Sequence, residues 1–264
     1  MLSSIYLKTL RDMRGLILAW GLGLAAASAI NVIFFPTFQN LPEMVSFLKT
    51  LPPVFKSLLG DIDAVMTVEG FLKMKLFNIL PLLLSILGVS QGSHALSGEF
   101  ERKTGDMLLA LPIARRRVVL EKFAAVATAV TVVAACIAAG LIVCCAAVGA
   151  DVDRGYLVAA TANGLPLTWL FVALAVWGSY ALRRSRHAAM LAGGAVIGSY
   201  VFETVRIISP DLAGWRVVSP FAHHNAAVGF AGELSPEPSV VFVALAFVMT
   251  IAAVVAFNRR DLRN

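Results

Sequence analysis

The chain has 264 residues, of which 59% are hydrophobic and only 14% charged, and its mean hydropathy is +0.82. Soluble domains contain about 25% charged residues, so this composition excludes an ordinary soluble globule and indicates an integral membrane protein. The net charge is +6, but the basic residues cluster beside apolar runs instead of covering one face. That distribution is typical of membrane topology signals and argues against nucleic acid as a partner.

The first segment, residues 1–14, places apolar residues at helical spacing and fills the other positions with charges. This pattern predicts a separate interfacial helix lying on the membrane. Residues 16–35 then form an uncharged run long enough for a first membrane span. A cleaved signal peptide remains an alternative, because Ala27-Ser28-Ala29 resembles a cleavage site. The apolar positions of the first segment are Leu2, Ile5, Tyr6, Leu10 and Met13.

Residues 36–70 mix prolines and charges with apolar residues, which predicts short helices outside the membrane. Asp61 and Asp63 are expected to be solvated loop acids, since no ladder of further acids follows that would complete a calcium site. Residues 71–97 are the second predicted span. Pro81 is expected to kink it, and Gly88 with Gly92 form a small-xxx-small pair that permits close helix approach.

Residues 98–122, which we call the charged island, read GEFERKTGDMLLALPIARRRVVLEK. Each charged side chain at the bilayer centre costs about 2.5–3.5 kcal/mol, so the charged island must lie outside the hydrocarbon. Apolar residues are interspersed among its charges. We therefore predict a short amphipathic element at the membrane surface, with Pro112 ending its helical part.

The same residues carry a resemblance. The Glu-rich start, the Thr/Gly pair, the Leu-Leu step and the Leu-Pro-x-x-Arg ending resemble the segment after the second membrane helix of ABC-2-type (type V) ABC transporter permeases. The resemblance implies a coupling helix that docks on a separate ATPase subunit, which would bind ATP and Mg²⁺. The implied contact residues are Glu99, Glu101, Arg102, Thr104, Gly105, Leu108, Leu109, Pro112 and Arg115. It also implies a connecting helix at the N-terminus and short re-entrant helices before the last span.

The third and fourth predicted spans are residues 118–148 and 156–182, joined by an acidic turn at 149–155. Asn163-Gly164 and Pro166 lie in the outer half of the fourth span. The three cysteines all lie within the third span, so they are expected to be packing residues and imply no disulfide framework.

The fifth predicted span, residues 188–208, contains a second small-xxx-small pair at Gly194 and Gly198. It also carries Glu203 and Arg206, which lie three residues apart on one helix face and can pair. Two roles stay open for this pair: a structural ion pair, or a part in gating or substrate contact.

Residues 209–238 are too short for two spans and rich in proline, which predicts broken helices in the outer interface. His223 and His224 are adjacent, so they cannot both bind one metal ion from a single helix face. Residues 239–257 are the sixth predicted span, and a basic tail follows.

The flanking charges set the orientation. Fifteen Lys and Arg residues fall on the side of the two termini and the charged island, against four clearly on the other side. Both termini are therefore predicted to be cytoplasmic, with a multi-pass location in the cell membrane. The expected fold is an all-α membrane protein with six spans, forming a single permease domain over residues 1–264. No internal repeat is evident.

The chain has no G-x-x-x-x-G-K-[ST] motif, so any ATP hydrolysis is expected in a partner and no cofactor in this chain. The resemblance implies a permease subunit of an ATP-driven exporter, working with ATPase subunits and a second permease copy or a sister permease in the lipid bilayer. One alternative is a related membrane subunit that acts as a sensor or anchor without transport. An intramembrane enzyme is a weaker alternative, because His94 and Glu203 are predicted at opposite membrane ends.

Overall fold

The computed structural model describes residues 4–39, 50, 67–101, 114–182, 184–227 and 237–259, and these parts of the chain are helices joined by turns, with no strand among them. Ten α-helices are described. They are α1 (Ile5–Gln39), α2 (Val68–Leu72), α3 (Leu80–Ser93), α4 (Ser97–Glu101), α5 (Arg115–Val148), α6 (Arg154–Ala162), α7 (Leu165–Ala181), α8 (Ser185–Ile208), α9 (Pro220–Ala227) and α10 (Glu237–Arg259). A π-helical turn, Lys73–Phe77, follows α2, and a 3-10 helix, Pro210–Val218, precedes α9.

Six helical segments are long and apolar enough to cross a membrane, which confirms the predicted number of spans. Span 1 is α1, span 2 runs from α2 to α3, and span 3 is α5. Span 4 comprises α6 and α7, span 5 is α8, and span 6 is α10. Spans 2, 3 and 4 are central, with 56%, 50% and 56% of their most apolar stretches buried, against 17%, 22% and 28% for spans 1, 5 and 6.

The N-terminal segment differs from the prediction of a separate interfacial helix. Residues 5–39 form one continuous helix, because Gly15 is the only weak helix former near the predicted boundary and no proline occurs before Pro36. The predicted apolar stripe also faces protein. Ile5 and Met13 are buried in the main core, and the backbone N–H and hydroxyl of Tyr6 bond to span 3.

Spans 2 and 4 lie side by side and are interrupted in the same way. In span 2 the helix is irregular at Asn78 and Ile79, and Pro81 lies in the first turn of α3. In span 4 a turn at Asn163 and Gly164 separates α6 from α7, and Pro166 occupies the matching position. Both breaks read Asn-x-Leu-Pro-Leu, a short repeat that the sequence analysis missed. Proline lacks an N–H group and fits only the first turn of a helix, so each motif restarts its helix.

The two small-xxx-small pairs have different surroundings. A β-carbon at Gly88 would collide with the side chain of Val172, and one at Gly92 would lie 3.1 Å from the Ala175 β-carbon. This pair therefore confirms the predicted close approach, here between spans 2 and 4. The pair at Gly194 and Gly198 differs, because β-carbons added there would meet nothing within 4 Å in the described part of the chain.

Candidate coupling site

The charged island begins where span 2 ends, and the two residues just before it are fixed by a buried serine of span 4. The hydroxyl of Ser179 accepts hydrogen bonds from the backbone N–H groups of Leu96 and Ser97, at 2.8 and 3.1 Å. The Ser97 hydroxyl donates in return to the Ser179 carbonyl oxygen at 2.8 Å. Both serines are fully buried. Because the first N–H groups of a helix lack partners within it, Ser179 serves as a cap supplied by another span.

Within the charged island, α4 forms an ion pair with the first turns of span 3. The Glu99 carboxylate lies 2.9 Å from the Lys122 ammonium group. The Lys122 residue is only 5% exposed. A buried ammonium group is tolerated only when a counter-charge lies beside it, so Glu99 neutralises a charge within the fold.

The neighbouring Glu121 ties span 3 to the N-terminus. Its carboxylate accepts the backbone N–H of Tyr6 at 3.0 Å and the hydroxyl of Ser4 at 3.3 Å. Arg117 donates to the other carboxylate oxygen at 2.6 Å, one helical turn away. The acidic group stands at the amino end of α1, where the helix dipole favours negative charge. Span 1 is thereby held to the same end of the bundle.

The part of the charged island that begins span 3 contacts span 6. Arg115 donates a hydrogen bond to the carbonyl oxygen of Phe257 at 2.9 Å, and its guanidinium lies 5.2 Å from the centre of the Phe257 ring. The same ring packs against Tyr180 of span 4 at 5.0 Å. A guanidinium over an aromatic face adds a cation–π attraction to the hydrogen bond. The start of span 3 is therefore joined to the end of span 6.

Two of the predicted coupling residues have side-chain contacts with the helix bundle in the structure. Glu99 and Arg115 are both engaged with the bundle, and the backbone of Glu101 ends α4. The remaining predicted residues lie outside the described part of the chain, so the coupling helix itself stays a prediction. They are Arg102, Thr104, Gly105, Leu108, Leu109 and Pro112.

Sequence reasoning missed Ser179 and gave Lys122 no specific role. Ser179 is a small polar residue in the mostly apolar inner half of its span, which was the available signal. Lys122 lies two turns into a membrane helix, where an unpaired charge would be expensive. Both residues became identifiable only once the packing of spans 3 and 4 against the charged island was known.

At the opposite end, Glu203 and Arg206 form the predicted pair. Two nitrogens of the Arg206 guanidinium each donate to one Glu203 oxygen at 2.8 Å. The Glu203 residue is 3% exposed. This two-point geometry is the strongest form of such a pair, so the predicted ion pair is present, and both roles that the sequence left open remain compatible with it. His94 ends α3 near the charged island, whereas Glu203 lies in the last turns of α8.

The predicted broken helices begin with the 3-10 helix Pro210–Val218 and α9, while residues 228–236 lie outside the described part. The two histidines of α9 have separate partners. His224 is fully enclosed, with Nε2 lying 3.4 Å from the Phe77 carbonyl oxygen and Nδ1 lying 3.3 Å from the Asn163 amide nitrogen. Nε2 of His223 lies 3.3 Å from the Val217 carbonyl oxygen. Burial is the main cause that lowers the pKa of His224 to about 4, and the Lys73 charge lowers it further.

The comparison with known families decides what these features belong to. The family model described as "ABC-2 family transporter protein" matches residues 26–262, which is most of the chain. The chain belongs to the ABC-2 transporter family. It is a transmembrane permease of that family, as the charged island led us to expect, and the family is not itself catalytic. A search of curated proteins finds no match to this permease.

Proposed function

We propose that this ABC-2 permease is the membrane subunit of an ATP-driven exporter, and that separate ATPase subunits act on the charged island. Family membership supports an ABC ATPase partner. The observation that carries the proposal is the set of polar contacts around the charged island. Ser179 of span 4 bonds to the residues just before the charged island, Lys122 of span 3 pairs with Glu99, and Arg115 bonds to Phe257 of span 6.

These contacts give a route for force. An ATPase that displaced the island would pull on α4, and Ser179 would pass the displacement to span 4 without crossing a loop. Close-packed interiors deform little, so a movement at one end is transmitted along a helix instead of being absorbed. Lys122 would pass the same displacement to span 3, so that spans 3 and 4 would both move with the ATPase.

The substrate pathway is proposed to lie between two permease copies, or between this chain and a sister permease. Spans 1 and 5 bury little of their surface in the single chain. A cavity of about 430 Å³ opens between span 1, the start of span 2 and the turn after span 3. Its walls include Phe35, Glu69 and Asp151, all at the outer end. The residues that line this cavity all lie at one end of the bundle, so the cavity is not by itself a pathway across the membrane.

The proposed orientation places both termini and the charged island in the cytoplasm of the cell, because most of the flanking Lys and Arg residues lie on that side. Glu203 and Arg206 would then stand at the outer end of span 5, where the pair is placed to take part in gating. ATP and Mg²⁺ would bind in the ATPase.

The experiment that tests this proposal is reconstitution of the permease with its proposed ATPase partner, to be sought first among the genes beside its own. We expect the two proteins to co-purify, and we expect ATP-dependent movement of a substrate across vesicle membranes, with hydrolysis stimulated by that substrate. Hydrolysis that depends on the permease but moves no substrate would indicate a sensor or anchor instead. Activity without any ATPase would contradict the proposal.

A further inference from the structure

The paired breaks of spans 2 and 4 lie at the same depth and touch each other. A β-carbon at Gly164 would lie 3.1 Å from Cγ of Pro81. Each break follows a short outer helix and precedes a long inner one. Both spans are therefore divided into two helical pieces at the same depth. Helix breaks of this kind lack part of the regular hydrogen-bond ladder, and they concentrate bending at a few residues.

Below the breaks, close contacts join α7 to the lower half of α3 and to the start of α4. Gly88 packs against Val172, Gly92 packs against Ala175, and Ser97 is hydrogen-bonded to Ser179. The contacts keep an almost constant offset of 82–84 residues between the two helices (172 − 88, 175 − 92 and 179 − 97). Such continuous close packing leaves no room for one helix to slide on the other.

Above this joined section, His224 of α9 connects the two breaks. Pro81 has no N–H, so the Phe77 carbonyl lacks the donor that a regular helix would supply four residues later. His224 fills this vacancy. A carbonyl oxygen only accepts, so Nε2 must carry the proton, and Nδ1 then accepts from the Asn163 amide. At 3.4 and 3.3 Å both bonds are longer than typical protein hydrogen bonds, which makes them easy to break.

We propose that the inner helices of spans 2 and 4 move as one body, that the two Asn-x-Leu-Pro-Leu breaks are its hinge, and that His224 is the latch that holds the hinge closed. The use of this movement in transport rests on the function proposed above. The hinge and latch are properties of the chain itself and are measured without an ATPase. In a complete transporter, displacement of α4 would swing the joined helices and pull the breaks away from His224.

Hydrogen–deuterium exchange on the full chain in lipid nanodiscs tests the latch. We expect His224→Ala to speed exchange about tenfold at residues 78–83 and 163–168, while residues 86–96 and 172–180 remain protected. The matched control is His223→Ala, which alters the neighbouring imidazole and should change neither region. Asn163→Ala removes one of the two latch bonds, and it should have a smaller effect at the same residues if His224→Ala fails to fold.

Two results would overturn the inference. One is unchanged exchange at both breaks in the His224 and Asn163 variants, which would show that His224 holds nothing closed. The other is a uniform increase that includes residues 86–96 and 172–180, which would show that the inner helices are no separate body. Loss of ATPase co-purification with wild-type protein would overturn the proposed function alone, because the exchange pattern is measured on the isolated permease.

Discussion

Lys122 and Glu99 come from different elements, and their charged atoms meet at 2.9 Å on the side of the bundle where the charged island begins. A charge-reversing change at Glu99 would therefore do more than alter a docking surface, because it would leave a buried ammonium group facing a second cation. A test of coupling in this permease must separate loss of the fold from loss of the partner.

Loss of Glu99 and loss of Lys122 from their ion pair should lower the stability of the protein by different amounts. Glu99→Gln should lower thermal stability in detergent by about 3 kcal/mol, because it strands a buried ammonium group. Lys122→Met keeps the apolar stem and removes the buried charge, so its cost should be under about 1 kcal/mol. Equal losses for the two variants would mean that burial of Lys122 is not the dominant factor.

The Ser179 cap predicts local loosening of the charged island. Ser179→Ala leaves two buried N–H groups without an acceptor and should cost about 2 kcal/mol. Exchange at residues 96–99 should rise, and stimulated ATP hydrolysis should fall while the ATPase still co-purifies. Ser93→Ala is the control, because the hydroxyl of this buried serine donates to the Ser90 carbonyl oxygen of its own helix at 3.1 Å and has no partner in another span among the described residues. Matching effects at both positions would argue against a specific cap.

The two glycine pairs predict effects of opposite sign. Gly88→Ala should destabilise the protein by about 1–3 kcal/mol, because its β-carbon would overlap Val172. Gly198→Ala should be neutral or stabilising by up to about 1 kcal/mol, since alanine is the better helix former and the space beside it is open. Thermal unfolding of the two single variants in detergent decides this comparison.

His224 predicts a pH dependence of folding. Its pKa is lowered from 6.5 to about 4, so the unfolded chain takes up this proton more readily than the folded one. Neutral His224 contributes at most about 3 kcal/mol to the free energy of unfolding. This contribution is fully present above pH 6.5, and it is lost as the pH drops from 6.5 to about 4. Denaturant titrations of wild type, His224→Ala and His223→Ala across this pH range give the free energy of unfolding at each pH. The slope of this free energy against pH should vanish only in the His224 variant.

Much of the fold follows from composition and spacing. The six spans, the irregular helix at Pro81 and the turn at Gly149 are dictated by local chemistry, since proline removes an N–H and Gly149 adopts a φ of 72° that favours glycine. The sequence did not determine which surface covers the apolar stripe of residues 1–14. An apolar face at helical spacing fits a lipid surface and a protein surface equally well, and the packing of Tyr6 on span 3 decided between them.

The candidate site was harder to predict than the spans. Glu99 and Arg115 were identified by charge and by resemblance, but their partners Lys122 and Phe257 depend on which helices are neighbours. The same limit explains why Gly88 and Gly198 looked alike in sequence. Small residues permit close approach, whereas only the arrangement of the spans determines whether a neighbour is present.

Site-specific photo-crosslinking tests the central claim most directly. A photoreactive residue replacing Lys103 in the charged island, in permease co-expressed with the proposed ATPase partner, should crosslink to that ATPase from the cytoplasmic side. The same group at Asp151, in the turn at the outer end, should give no such product. Crosslinking from Asp151 but not from Lys103, or an active permease that forms no ATPase adduct at either position, would contradict the account.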